Sequence, residues 1–369
     1  MVASLESRVI EGSPVHRHFR FFSGIFDTPE KISAYNSIHH PQTGHTQLIR
    51  AGESTLEFLA RHGVTGLNLF YRAEQYNPSH SFKDAGMEIA VALGLVEGAE
   101  AFICSSTGNT SASAALFGRR AGKPVYVVVA EDASGEKLRH TQVYGAQVIR
   151  HGRHFNEAFA YSRRIACLDR RIVMVNSTNP HRLEGQRVAA FDIVGELGSA
   201  PDYVFIPVGN ALNISAYEQG FHEMLEAGEI KNRPVMVGGR AVVGNTSAKA
   251  IDIMVPENMD RAVRAVQRSD GTIINGIHDE WLWAAHEVLL SEGIFVELAS
   301  AMSLALIPHY ARQRKIQEGS AAVAVLTGNG LKDIAINGSP AIGRIRPYSS
   351  GQFEAELRDR FGIVAGKAL

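Results

Sequence analysis

Ala101-Phe-Ile-Cys-Ser-Ser-Thr-Gly-Asn-Thr110 is a short apolar run that breaks into a polar turn, and an alanine-rich segment follows as far as Arg120, closed by Gly122. That is the pattern of a buried strand, a tight turn and a helix. The same unit recurs outward in both directions. Pro124 to Ala130 (PVYVVVA) reads as a buried strand from its unbroken β-branched run. Further strands are expected at 67–71, 147–150, 172–175, 203–208, 235–238, 272–277 and 321–326. Helices are expected at 54–61, 136–144, 156–167, 182–197, 214–226, 258–268, 279–291 and 299–314. Residues 1 to about 45 are polar, aromatic and weakly periodic, and yield no assignment. Strands alternating with helices of this length predict an α/β fold of mainly parallel sheets covered by helices on both faces. Four turns rich in Gly, Asn, Ser and Thr follow strands, after Cys104, Val175, Val208 and Leu326. Ligands of open α/β sheets bind at the carboxyl ends of strands, so these four turns are expected to meet in one crevice.

Composition narrows the possible functions. The chain has 369 residues, 45% hydrophobic and 20% charged, with 37 basic side chains against 38 acidic ones. No basic block suggests nucleic acid or an anionic membrane surface. No run of about 20 apolar residues suggests a membrane span. The first residues lack the apolar core of a secretory signal, and two distant cysteines, Cys104 and Cys167, fit a reducing cytoplasm. None of the 15 histidines has zinc-site spacing beside other ligands, so no metal is expected.

One lysine stands out. Lys83 lies in Asn77-Pro-Ser-His-Ser-Phe-Lys-Asp-Ala-Gly-Met87, after a polar turn and at the mouth of an apolar helix. An amine so placed is an anion binder or a Schiff-base former; a solvated surface lysine is the plain alternative. Gly209-Asn-Ala-Leu-Asn213 joins a strand to a helix, and its backbone N–H groups suit a phosphate, although such junctions are common and the spacing is not that of a dinucleotide fold. Ser105 to Thr110 offers hydroxyls, an amide and backbone donors to a carboxylate, or simply caps the next helix. Asn176-Ser-Thr-Asn-Pro-His-Arg182 combines amide, hydroxyl and guanidinium donors, or only satisfies its own backbone. Thr327 ends the last strand with a neutral hydroxyl. An amine, a phosphate cradle and a carboxylate cradle together describe pyridoxal 5'-phosphate holding an amino acid.

Five stretches resemble threonine synthase, a fold-type II pyridoxal-phosphate enzyme family related to the tryptophan synthase β chain. They are Ser81-Phe-Lys-Asp84, Ser106 to Ser113, Val175 to Gln186, Pro207 to Ala211 and Leu326 to Asp333. The resemblance implies conversion of O-phospho-L-homoserine and water to L-threonine and phosphate. It implies Lys83 as the residue that carries the cofactor and moves protons, Asn109 on the ring oxygen and Thr327 facing the ring nitrogen. Gly209, Asn210, Ala211, Leu212 and Asn213 would take the cofactor phosphate. Ser106, Thr107, Thr110, Asn176, Ser177 and Arg182 would take the carboxylate and phosphate of a small amino-acid substrate. It also implies a larger cofactor-binding domain of residues 1–83 and 186–369, a smaller mobile domain of 84–185, and a cytoplasmic homodimer.

The chain departs from the family pattern at His80 and Leu212, where glycine is usual, at Ala85, where arginine is usual, at Asn329, where histidine is common, and at Met254. A positive φ at Leu212 would cost about 1–2 kcal/mol. The alternatives are a paralogue performing β- or γ-elimination or replacement on a related amino acid, a threonine/serine dehydratase, and a non-catalytic cofactor-binding protein.

Overall fold

The protein is described by a computed structural model over residues 2–314 and 316–333. Residues 334–369, which the expected larger domain includes, lie outside the described residues. The amino-terminal stretch that shows no periodicity forms short helices, α1 (Val2–Glu6), α2 (Pro14–Arg17), α3 (Phe19–Phe22) and α4 (Pro29–Ile38). Thr28 caps α4 by accepting from the Lys31 N–H, with Pro29 in the first turn. The chain continues through β1 (Leu48–Arg50), α5 (Glu53–Arg61), β2 (Asn68–Ala73), α6 (Lys83–Val96), β3 (Ala101–Ser105), α7 (Asn109–Arg120), β4 (Val125–Val129) and α8 (Gly135–Val143). Next come β5 (Gln147–Arg150), α9 (Phe155–Leu168), β6 (Ile172–Met174), α10 (His181–Gln186), α11 (Val188–Leu197), β7 (Tyr203–Pro207), α12 (Leu212–Glu226) and β8 (Val235–Ala241). The last elements are α13 (Met259–Arg268), β9 (Thr272–Ile277), α14 (Asp279–Ser291), α15 (Leu298–Gln313) and β10 (Ala321–Leu326).

Two sheets result. The larger has the order β1-β2-β10-β7-β8-β9, and the smaller the order β5-β4-β3-β6. Among the described residues every pairing between these strands is parallel except β1 against β2, an edge strand absent from the sequence reading. Alternation along the central strands explains the layers. On β10, Val323 and Val325 enter one core with Val204 and Ile206 of β7, while Ala322, Ala324 and Leu326 enter the other with Tyr203 and Phe205. Strands buried on both faces need helices on both sides, which is why their sequences are continuously apolar.

The single helix expected over 182–197 is two. It breaks at Arg187 into α10, which crosses α6, and α11, which packs on α12. The crossing is close because it uses glycine: a Cβ on Gly185 would lie 1.9 Å from the Ala85 carbonyl oxygen, and one on Gly86 2.4 Å from that of Arg182. This contact sets the start of α6, and with it Lys83, directly over Arg182.

Candidate active site

All four polar turns meet. Ser105 and Asn176 close the ends of neighbouring β3 and β6: the Asn176 amide accepts from the Ser105 N–H and donates to its carbonyl, both at 2.9 Å. The turn after β7 reaches the turn after β6 through Asn210, whose amide donates to the Ser177 hydroxyl. Asn258 fastens both by donating to the Ser177 and Asn210 carbonyls at 3.2 Å. The turn after β10 holds the lysine loop: Phe82 N–H donates to the Thr327 carbonyl at 2.9 Å, and Asn329 N–H to the His80 carbonyl at 3.0 Å.

Lys83 is half-buried at the first position of α6, with its amine 3.9 Å from the Phe82 ring centroid. Burial, followed by the charge of Arg182 and then that of Lys332, outweighs the pull of Glu297 and brings its pKa down to about 7. An amine poised there is a usable base near neutrality. The preceding loop is pinned by Asp84, which accepts from the Ser79 N–H and hydroxyl, both at 2.5 Å. Arg182 is buried and has no carboxylate partner among the described residues. It donates to the Val175 carbonyl at 2.7 Å and to the Lys83 carbonyl at 3.4 Å, and burial brings its pKa down to about 10.

Asn109 opens α7 and donates to both carboxylate oxygens of Glu297 at 3.0 Å. Thr327 donates to Glu297 at 3.3 Å and pairs with the Ser300 hydroxyl at 2.9 Å. Ser106 and Thr107 are half-buried in the turn between β3 and α7, Thr110 is half-buried in the first turn of α7, and the Ser106 hydroxyl accepts from the Gly108 N–H at 3.1 Å.

The phosphate turn differs from expectation in one detail. The left-handed residue is Ala211, at φ 67°, and Leu212 already belongs to α12. Leu212 is therefore unstrained and buried, and the conformational cost falls on its neighbour. Gly209 to Ala211 form the turn itself. Asn213, in the first turn of α12, lines a cavity of about 10 Å³ with Gln186, Ala85 and Arg72, room for roughly one water. Neither the Asn213 nor the Gln186 amide has a hydrogen-bond partner among the described residues. His80 holds φ 65°, so the backbone keeps the glycine-like conformation of the usual pattern while carrying an imidazole.

Sequence reading missed Glu297 and the role of Lys332. Lys332 donates to the Ser79 carbonyl at 2.6 Å, and burial brings its pKa down to about 8. Glu297 is a single acid after an apolar pair; its only local signal is a charge immediately ahead of a long apolar helix.

The donor set fits pyridoxal phosphate. It comprises an amine poised near neutrality, an amide and a hydroxyl gathered on one acid, and a left-handed turn opening a 15-residue helix whose first N–H groups lack intrahelical partners. The pyridoxal-phosphate dependent enzyme family model matches residues 41–328, and the chain belongs to that family, in its fold-type II architecture. Its relatives include a threonine synthase of Bacillus sp. (strain ULM1), 42% identical over 73% of this chain and 79% of that one. Another is a threonine synthase of Halalkalibacterium halodurans, 41% identical over 79% of this chain and 87% of that one. Among solved structures, threonine deaminase isoform 2 of Solanum lycopersicum superposes with a TM-score of 0.67 at 19% identity, over 84% of each chain. The O-acetylserine dependent cystathionine beta-synthase of Helicobacter pylori does so with 0.66 at 18% identity, over 80% of this chain and 95% of that one.

Proposed function

We propose that this protein converts O-phospho-L-homoserine and water to L-threonine and phosphate. The observation that carries the reading is electrostatic: the charges of Arg182 and Lys332 both act on Lys83, and burial brings the pKa of each of the three down. Anions relieve such crowding, and this reaction brings a cofactor phosphate, a substrate phosphate and a carboxylate. The identity to threonine synthases over most of the chain supports it.

When bound, pyridoxal phosphate supplies an aldehyde for the Lys83 amine and an electron sink for carbanions. Lys83, freed once the substrate amine takes its place on that aldehyde, would remove the Cα proton and, after passing that proton on, a Cβ proton, as a base with pKa near 7 does at neutral pH. A proton returned to Cγ once phosphate has left, and one to Cα at the end, complete threonine. Asn109 and Thr327 orient the ring, and the 209–213 turn with the start of α12 holds its phosphate. Ser106, Thr107, Thr110 and Ser177 present hydroxyls to the substrate. Asn176 and Arg182 hold the backbone of Ser105, Val175 and Lys83 in register beneath it. Closure of residues 84–185 onto the remainder keeps water out until phosphate has left Cγ, after which water adds at Cβ.

The working form is proposed as a cytoplasmic homodimer acting on a small amino acid, with no nucleic-acid or membrane partner. Among the described residues no helix is long and apolar enough to cross a membrane. The test is to give cofactor-loaded protein O-phospho-L-homoserine and assay both products. Threonine and phosphate in equal amounts support the reading. Phosphate without threonine, or neither product, overturns it.

A further inference from the structure

The small cavity beside the phosphate turn is lined by polar side chains of two kinds. Arg72, Glu74 and Tyr217 satisfy one another: Glu74 accepts from Arg72 Nε at 3.1 Å and from the Tyr217 hydroxyl at 3.2 Å. Asn213 and Gln186 are different. They are only 6% and 3% exposed and both line the cavity, yet among the described residues neither the oxygen nor the nitrogen of either amide has a hydrogen-bond partner.

Each amide belongs to an element that shapes the site. Asn213 is the second residue of α12, four before Tyr217 and so on the same face, and its N–H is among those left without an intrahelical partner. Gln186 ends α10, four residues after Arg182, and reaches over α6. A Cβ on Gly86 would lie 2.9 Å from Gln186 Nε2 and 3.0 Å from Arg182 Nε. Gly86 is one turn on from Lys83. The cavity therefore lies between the helix that opens at the phosphate turn and the crossing that sets Lys83.

Size and chemistry select what joins the two amides. Buried amides without partners are costly, and the space accommodates roughly one water, which forms two to four hydrogen bonds. Each amide offers it both a donor and an acceptor. The first turn of α12 needs such a tie. Glu74 anchors the helix at Tyr217, but the first turn follows Ala211 at φ 67°, a conformation that a residue with a side chain keeps only where its surroundings fix it.

We propose that a buried water bridges the Gln186 and Asn213 amides, and that Gln186, acting through it, is a positioning residue for the cofactor phosphate. The bridge holds the first turn of α12 so that its N–H groups face that phosphate. It also fixes the spacing between this cradle and the start of α6, where the Lys83 amine meets the cofactor aldehyde. The proposal rests on the reading that residues 209–213 take the cofactor phosphate.

Gln186→Met and Asn213→Leu each exchange an amide for an apolar group of similar size. Capture by the apoenzymes of pyridoxal 5'-phosphate, and of pyridoxal, which has the aldehyde without the phosphate, is followed by visible absorbance. Gln186→Met should weaken capture of the phosphorylated aldehyde about tenfold and that of pyridoxal less than about twofold, the size expected for one net hydrogen bond. Asn213→Leu should do the same from the other side. The double variant should lose little more than either single, because the second substitution removes an amide that the first has already stranded. A crystal structure of the wild type should show the water within about 3 Å of both amides. Equal losses for the two aldehydes, single effects that multiply, or a dry cavity would each remove the bridge. A wild type that prefers the phosphorylated aldehyde, with that preference intact in Gln186→Met, leaves the phosphate turn standing and removes Gln186 from its role. A wild type without the preference removes the phosphate turn and the bridge together. No amino acid enters the measurement, so the result is independent of which substrate the enzyme takes.

Discussion

Asn109 and Glu297, 188 positions apart in the chain, meet at 3.0 Å, the amide of the first donating to both carboxylate oxygens of the second. This contact joins the turn after β3 of the smaller sheet to the residue ahead of α15, which packs on the larger one. Thr327 donates to the same carboxylate. Glu297 thus gathers the two groups expected to orient the cofactor ring. It also supplies the negative charge that acts on Lys83.

Replacing Glu297 by Gln keeps an acceptor for Asn109 and removes that charge. Glu297 raises the proton affinity of Lys83, so its loss should lower the Lys83 pKa further below about 7. The measurement is the pH dependence of cofactor capture by the apoenzyme, followed by visible absorbance. Its half-point should move to lower pH in Glu297→Gln. A half-point that stays or rises would mean Glu297 does not act on the amine.

Arg182 gives the opposite sign. After burial, its charge is the largest influence lowering the Lys83 pKa. Arg182→Met should therefore move the same half-point to higher pH. It should also destabilise the fold by about 3–5 kcal/mol, by leaving the Val175 and Lys83 carbonyls without their donor and the site repacked around a smaller group. A stable variant with an unmoved half-point would place Arg182 outside the electrostatics of the site.

Lys83 itself links stability to pH. Its ordinary pKa is 10.5, and in the fold it is about 7. Between these values the unfolded chain holds a proton that the folded one has released, so stability rises with pH across this window. The penalty is full below about pH 7 and gone above pH 10.5. Lys83→Met apoenzyme should exceed wild type in Tm by the most at and below pH 7, with the gap closing towards pH 10.5. Turnover and the visible band of the attached cofactor should both be lost. A constant Tm gap across that range would show that the amine is not perturbed.

The sheet core was legible because runs such as Val125–Val129 and Ala321–Leu326 are apolar on both faces, and only a helix-covered parallel strand reads that way. The convergence of turns followed from their place at strand ends. Glu297 was not legible, because a lone acid means nothing until the fold brings Asn109, Thr327 and Lys83 around it. The approach of His80 to His140 of α8, with ring centroids 6.0 Å apart, likewise depends on how α8 sits against the lysine loop, which no local pattern encodes. The amino-terminal stretch hid for a different reason. Phe19, Phe22, Phe26 and Tyr35 are fully buried, yet they come from helices of one to three turns and the links between them, too short for a period to show.

The phosphate turn shows how one residue of offset changes a forecast. The departure from glycine at Leu212 carries no strain, because Leu212 is helical and buried, and the left-handed conformation belongs to Ala211. Ala211→Gly should therefore be neutral or stabilising by up to about 1 kcal/mol, relief of the left-handed penalty being partly offset by a freer unfolded chain. Leu212→Gly should destabilise by about 3 kcal/mol or more, losing both a buried side chain and helix propensity in the first turn. Denaturant unfolding of the two apoenzymes decides between them. If Leu212→Gly were the stabilising change, the positive φ would sit at 212, and the turn would present its N–H groups one residue later than the start of α12 now allows.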